Sequence, residues 1–132
     1  MHITLESDYA VRIVSCLVRE NKRLDAKTIS EKTCVSLRFS LKILRKLVAA
    51  DLVKSFKGTQ GGYELAKTPS EISLYDIIET VEGTYHFSRC LDSDYECSCG
   101  KSGMCCYQRA FSNITDIVKT ELKKYTFDKL SD

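Results

Sequence analysis

The stretch that decides the fold runs Asp25-Ala-Lys-Thr-Ile29-Ser-Glu-Lys-Thr33-Cys34-Val35-Ser36-Leu37-Arg38-Phe39-Ser40-Leu41-Lys42-Ile-Leu44-Arg45-Lys46-Leu-Val48-Ala49. Asp25 is an N-cap residue for a helix of about Ala26 to Thr33, with Ile29 facing inward. Cys34 and Val35 make a short turn. Ser36 caps a longer helix that runs to about Ala49, because its hydroxyl can accept a free backbone N–H of the first turn. The spacing of Leu37, Leu41, Leu44 and Val48 puts an apolar face on that helix, and Arg38, Lys42, Arg45 and Lys46 decorate its other faces. Two short helices joined by a tight turn, the second of them basic, describe a helix-turn-helix. Between Lys32 and Lys57, seven basic residues stand against Asp51 alone, a local excess inside a chain of net charge +2. A charge run by itself marks a solvated face; on the second helix of such a pair it is a footprint for a polyanion.

The neighbouring segments complete the module. Residues 3–19 read as a helix with Tyr9, Ile13, Cys16 and Leu17 on a buried stripe, and Val11, Val14 and Val18 make its other side apolar too. Cys16 is expected to be a small core residue. Asn21-Lys-Arg-Leu24 reads as a polar break. Leu52-Val-Lys-Ser-Phe-Lys57 reads as a strand, Gly58-Thr-Gln-Gly-Gly62 as a turn and Tyr63-Glu-Leu-Ala66 as the returning strand, ended by Pro69. A hairpin placed after a recognition helix is a wing. Ser73 to Glu82 is a further helix with Ser73 and Asp76 as its capping box, Gly83 as its stop, and Leu74, Ile77, Ile78 and Val81 inward. A last helix spans about Cys106 to Tyr125. Tyr107, Phe111, Ile114, Val118, Leu122 and Tyr125 line one face of it, with Ala110 and Ile117 beside them. So long a stripe suits burial against a two-fold mate. The expected fold is mainly α: a winged helix-turn-helix with a two-stranded wing over residues 1–84, a cysteine-rich sensor loop over 85–106, and a long C-terminal dimerisation helix with its tail over 107–132.

Five of the seven cysteines, Cys90, Cys97, Cys99, Cys105 and Cys106, fall between positions 90 and 106. Gly100, Ser102 and Gly103 keep that backbone flexible, and Asp92, Asp94 and Glu96 make it polar, so it cannot build a core of its own. A metal, an iron–sulfur cluster or disulfides must order it. Glu6 and Asp8 occupy the place of a signal peptide's apolar region, and no apolar run approaches the ~20 residues of a membrane span. The expected setting is therefore the cytoplasm, with no membrane partner, where clustered thiols bind metals or do redox work. Cys97-x-Cys99 and the adjacent Cys105-Cys106 match neither paired zinc knuckles nor ferredoxin spacing. What remains is Cys90-x6-Cys97 or Cys90-x8-Cys99, followed by Cys99-x5-Cys105, which points to a metal or cluster without choosing the species. An enzyme is not expected. No thioredoxin-like Cys-x-x-Cys, Ser/His/Asp set or phosphate loop is present, and a thiol oxidoreductase built on Cys97 and Cys99 is the weakest alternative.

The chain resembles the Rrf-two family, the IscR/NsrR group of iron–sulfur winged-helix regulators, over essentially its whole length. The resemblance rests on Asp8-Tyr-Ala-Val-Arg12 in the first helix, Ile29-Ser-Glu31 and Val35-Ser-Leu37 in the helix-turn-helix, and Asp51-Leu-Val-Lys-Ser55 with Lys57-Gly-Thr-Gln-Gly-Gly-Tyr63 in the wing. It implies a homodimer on a palindromic operator in double-stranded DNA, and a [2Fe–2S] or [4Fe–4S] cluster held by three cysteines and a non-cysteine ligand. Cys90, Cys99 and Cys105 satisfy the family's sensor spacing, and Asp8 stands at the place of its fourth ligand in NsrR-like members. Five loop cysteines rather than three depart from the pattern: Cys97 can replace Cys99, Cys106 can replace Cys105, and a surplus thiol can replace Asp8. The histidine that other members use falls here at Gln108 or Arg109. A zinc- or thiol-based regulator without a cluster is the alternative. On the DNA side, Ser36, Arg38, Phe39 and Ser40 open the recognition helix, Arg38 suiting a guanine and Phe39 a thymine methyl. Lys42, Arg45 and Lys46 suit phosphates, and Lys57 and Gln60 a minor groove beneath the wing.

Overall fold

The computed structural model describes residues 2–101 and 103–130; Met1, the loop's Ser102, Ser131 and Asp132 lie outside it. Five helices and one hairpin follow in order: α1 (Leu5–Glu20), α2 (Ala26–Thr33), α3 (Leu37–Ala49), β1 (Val53–Phe56), β2 (Gly62–Leu65), α4 (Leu74–Glu82) and α5 (Cys106–Lys124). The first four helices start on side-chain caps. The Thr4 hydroxyl accepts from the Ser7 N–H, the Asp25 carboxylate from Thr28 and the Ser36 hydroxyl from Phe39. At α4 the capping box closes both ways between Ser73 and Asp76. Each cap satisfies an N–H that the helix itself leaves free.

The core lies between α1, α2, α3 and α4. Ala10, Ile13 and Val14 of α1 meet Ile29 of α2, Ile43, Leu44 and Leu47 of α3, and Ile77 of α4, all fully buried. Cys16 is among them, and burial pushes its thiol above its ordinary pKa. It is an inert packing residue.

The buried face of α3 differs from the one the spacing suggests. It consists of Ser40, Ile43, Leu44 and Leu47, whereas Leu37 and Leu41 are exposed and Val48 is half-buried. Leucine, isoleucine and valine cover one broad arc of this helix, so two overlapping stripes satisfy the same periodicity. The docking of α1 and α2 selects one of them.

The wing is antiparallel, with Val53 opposite Leu65 and Phe56 opposite Gly62. The polar break before α2 joins it. The Leu24 N–H donates to the Tyr63 carbonyl at 3.0 Å, and the Tyr63 N–H donates back to Leu24 at 2.7 Å. Gly62, at φ +142°, is required there, because a Cβ would stand 2.6 Å from the Leu24 carbonyl oxygen. Pro69 does not simply end the wing; it opens a 3-10 turn (Pro69–Glu71) boxed by Thr68 and Glu71.

Helix α5 packs on α4, and Thr115 is its one buried residue among those described. Tyr107 and Ile117 are 70% and 67% exposed. Beyond α5 the chain turns back. The Leu74 N–H donates to Tyr125, the Phe127 N–H donates to Ile72, and the Phe127 ring enters the core. Among the described residues no helix is long and apolar enough to cross a membrane.

Candidate nucleic-acid interface and cysteine loop

The outer face of α3 gathers Leu37, Arg38, Phe39, Leu41, Lys42 and Arg45 around one shallow depression. Arg38 and Arg45 are exposed and form no ion pair among the described residues. Ser36 sits at the helix start with its hydroxyl engaged as the cap. Phe39 is oriented by the edge of Tyr9, ring centroids 5.8 Å apart, and by Lys42, whose ammonium lies 5.9 Å from its ring.

Two residues expected on this face are turned elsewhere. Ser40 is fully buried, with its hydroxyl directed at the Val35 carbonyl 3.5 Å away, which removes it from the exposed face of α3. It follows Phe39 by one position, and 100° of helix rotation carries it to the core. Lys46 points along α3 toward α1 and α4. Its ammonium lies 2.8 Å from Glu6 and donates to the Val81 carbonyl at 3.3 Å. Lys42 reaches the same Glu6 carboxylate at 3.7 Å. The ion pair with Lys46 holds the Glu6 carboxyl below the usual carboxylate range against the opposing effect of burial. Lys46 thus ties the recognition helix to the start of α1 and the end of α4.

At the wing, Lys57 and Gln60 are exposed at the hairpin end. Arg23, which carries no periodic sequence signal, holds that end. Its guanidinium lies 3.4 Å from the Phe56 ring centroid, donates to the Gln60 carbonyl at 3.1 Å, and stands 3.7 Å from Glu64. The pairing of Leu24 with Tyr63 holds the interhelical segment beside the hairpin.

The cysteine loop is anchored to α5 at both ends. On the entering side, the Phe87 N–H donates to the Thr115 hydroxyl at 3.0 Å, and the Phe87 and Phe111 rings lie 5.5 Å apart. Cys90 follows in a short 3-10 turn (Arg89–Leu91). Gln108 then joins the ends of the loop. Its Nε2 donates to the Cys90 carbonyl at 2.7 Å, and its Oε1 accepts from the Gly103 N–H at 2.7 Å. At the loop's far turn the Gly100 N–H closes on the Cys97 carbonyl. Backbone N–H groups, first that of Lys101 and then that of Cys99, bond the Cys97 sulfur and hold its thiol below the ordinary value. All five loop cysteines are free; Cys90, Cys97 and Cys105 are half-buried, and Cys99 and Cys106 are exposed.

Among the described residues, no three His, Cys, Asp or Glu side chains converge as a set of metal ligands within one chain. Asp8 lies in the first turn of α1, paired with Arg12 at 2.9 Å. In donor chemistry the loop suits a soft metal or a cluster: it offers five thiols, one of them with its pKa held below the ordinary value by amide donors.

A capped basic helix behind a tight turn, set beside a clamped wing, defines a DNA-binding winged helix-turn-helix protein. The Rrf2 family profile, described as iron-dependent transcriptional regulator, matches residues 3–132, and the chain belongs to that family. Protein aau3 of Rhizobium meliloti is 30% identical over 98% of this chain and 84% of its own length. The HTH-type transcriptional regulator NsrR of Bacillus subtilis is 24% identical over 98% of this chain and 90% of its own. Among solved structures, CymR, the global cysteine regulator of B. subtilis, superposes with a TM-score of 0.75 at 26% identity, covering all of this chain and 99% of CymR. T. potens IscR shares the fold, with a TM-score of 0.72 at 21% identity over all of this chain and 93% of IscR. The protein is a DNA-binding transcription regulator of the Rrf2 family.

Proposed function

We propose that the DNA affinity of this regulator is controlled by an iron–sulfur cluster, [2Fe–2S] or [4Fe–4S], bound at the cysteine loop. The observation that carries the reading is the loop itself: five free thiols between residues 90 and 106, its ends joined by Gln108 and its entry docked on α5. Cys90, one of Cys97 and Cys99, and one of Cys105 and Cys106 are the three thiolate ligands, with Asp8 or a surplus cysteine as the fourth. When bound, the cluster supplies metal–thiolate bonds that order the loop and that oxidation or nitric oxide breaks.

The chain's own residues do the rest. Residues 1–84 hold DNA, 85–106 sense, and 107–132 join two copies through α5 on a palindromic operator in the cytoplasm. Arg38 reads a guanine and Phe39 approaches a thymine methyl, while Ser36 sets the start of the reading helix. Lys42 and Arg45 hold phosphates, and Lys57 and Gln60 enter the minor groove under the wing. Order in the loop reaches α3 through the end of α4, where the Val81 carbonyl meets Lys46. Moving the dimer from 1:99 to 99:1 in favour of one state takes ~5.5 kcal/mol of differential binding, within reach of several metal–thiolate bonds.

The amide-stabilised Cys97 and the likeness to a cysteine regulator favour one second reading, direct thiol sensing without a cluster. Protein purified without oxygen separates the two by its visible spectrum and its iron, acid-labile sulfide and zinc content. Matched iron and sulfide in a brown protein support the cluster. Stoichiometric zinc in a colourless protein, or no metal after attempted reconstitution, rules the cluster out.

A further inference from the structure

The apolar side chains left outside the core on α3 carry an inference about which DNA this protein selects; it rests on the DNA interface proposed above. Leu37 is 46% exposed and Leu41 is 37% exposed, one helical turn apart. Single exposed leucines are ordinary on a protein surface. These two form a row on the helix that also carries exposed Arg38, Lys42 and Arg45. The row borders the buried face of α3, Ser40, Ile43, Leu44 and Leu47, and its two leucines keep a large part of their surface outside the core. Phe39 differs, because Tyr9 and Lys42 already hold its ring.

The cations commit the face to a polyanion, so the partner of the leucines must be an apolar group inside a polyanionic groove. The major groove of DNA presents one such group, the C5 methyl of thymine. We propose that Leu37 and Leu41 are specificity-determining residues that contact thymine methyls in the major groove, so that the half-sites this protein selects place thymines beside the base read by Arg38.

The test uses the full chain, purified without oxygen, and duplexes that it enriches from a randomised pool. Replacing each half-site thymine with deoxyuridine removes the methyl and leaves every hydrogen-bonding group in place. Affinity should fall roughly fourfold for each methyl that meets a leucine, the worth of one buried apolar carbon. In the Leu37→Ala/Leu41→Ala variant the same replacements should change affinity little, which closes a double-mutant cycle between the row and the methyls. Equal binding of thymine and deoxyuridine duplexes by the unaltered protein overturns the proposal while leaving the DNA interface standing; that arm needs no variant to fold. Undiminished sensitivity in the double variant places the methyl contact elsewhere and also overturns it. So does self-association of the free protein that the double variant abolishes, which would make the row an interface between copies. Failure to enrich any duplex overturns the DNA interface and this proposal together.

Discussion

Glu6 has a titratable group in a structural tie. Its carboxylate faces Lys46 at 2.8 Å and Lys42 at 3.7 Å, and the pairing lowers its pKa from an ordinary 4.5. A carboxyl depressed in the folded state stabilises fully above its unfolded pKa. The contribution erodes as pH drops below about 4.5 and is gone once the folded pKa is passed. Glu6→Gln should therefore cost about 1 kcal/mol at neutral pH, a figure held down by the partly exposed lysine. In urea titrations at a series of pH values, the gap between variant and parent should close on acidification; a gap constant from pH 7 to 3 would refute the role. Gln108 is the other residue whose importance is purely positional. Gln108→Ala removes two hydrogen bonds that join the loop ends, about 1 kcal/mol each. The variant should lose iron to a chelator several-fold faster than the parent, and its metal-free form should melt several degrees lower. Unchanged release would separate the clasp from the metal site.

At the scale of elements, the wing and α3 show how packing chooses among sequence alternatives. The hairpin was legible in Gly58-Thr-Gln-Gly-Gly62 and its flanking strands. Its attachment was not, because neither Arg23 nor Leu24 belongs to any pattern; Leu24 pairs with Tyr63 only once α1 and α2 have brought the linker alongside. Arg23→Ala removes the stack on Phe56 and the bond to Gln60, and should weaken DNA binding about tenfold, ~1.4 kcal/mol. Hydroxyl-radical protection of the minor groove beneath the wing should disappear while major-groove protection under α3 persists. A footprint retained in both grooves would show that the wing needs no clamp. The shifted face of α3 has a similar origin: a helix with a broad apolar arc does not declare which edge of it is buried.

For the whole molecule, the open question of scale is the surface of α5. Its inner side is used: Phe111 and Thr115 dock the loop, and Lys123 lies 4.6 Å over the Tyr75 ring. The outer side leaves Tyr107 and Ile117 largely in solvent, beside Ile114. Burial of that side against a second copy is the expected outcome in solution. Ile117→Glu should raise the dimer dissociation constant at least 100-fold, since an unpaired buried charge costs several kcal/mol. Sedimentation velocity across micromolar concentrations measures this directly, and a variant that stays dimeric would move the interface off Ile117.

By itself the sequence determined the elements and their order, because caps, turns and apolar periods are local. Asp25, Ser36, Ser73 and Gly83 mark helix ends wherever the helices lie, and the density of cysteines between 90 and 106 announces a site without any fold. Tertiary structure alone decided which side of α3 faces the core, that Ser40 is buried and Lys46 reaches Glu6, that Arg23 reaches the wing, that Gln108 joins the loop ends, and that Phe127 returns to the core. Each of these is a contact between separate parts of the chain or a choice between overlapping apolar stripes of one helix. Such contacts depend on how the elements dock, and docking minimises exposed area and unpaired polar groups over the whole chain at once.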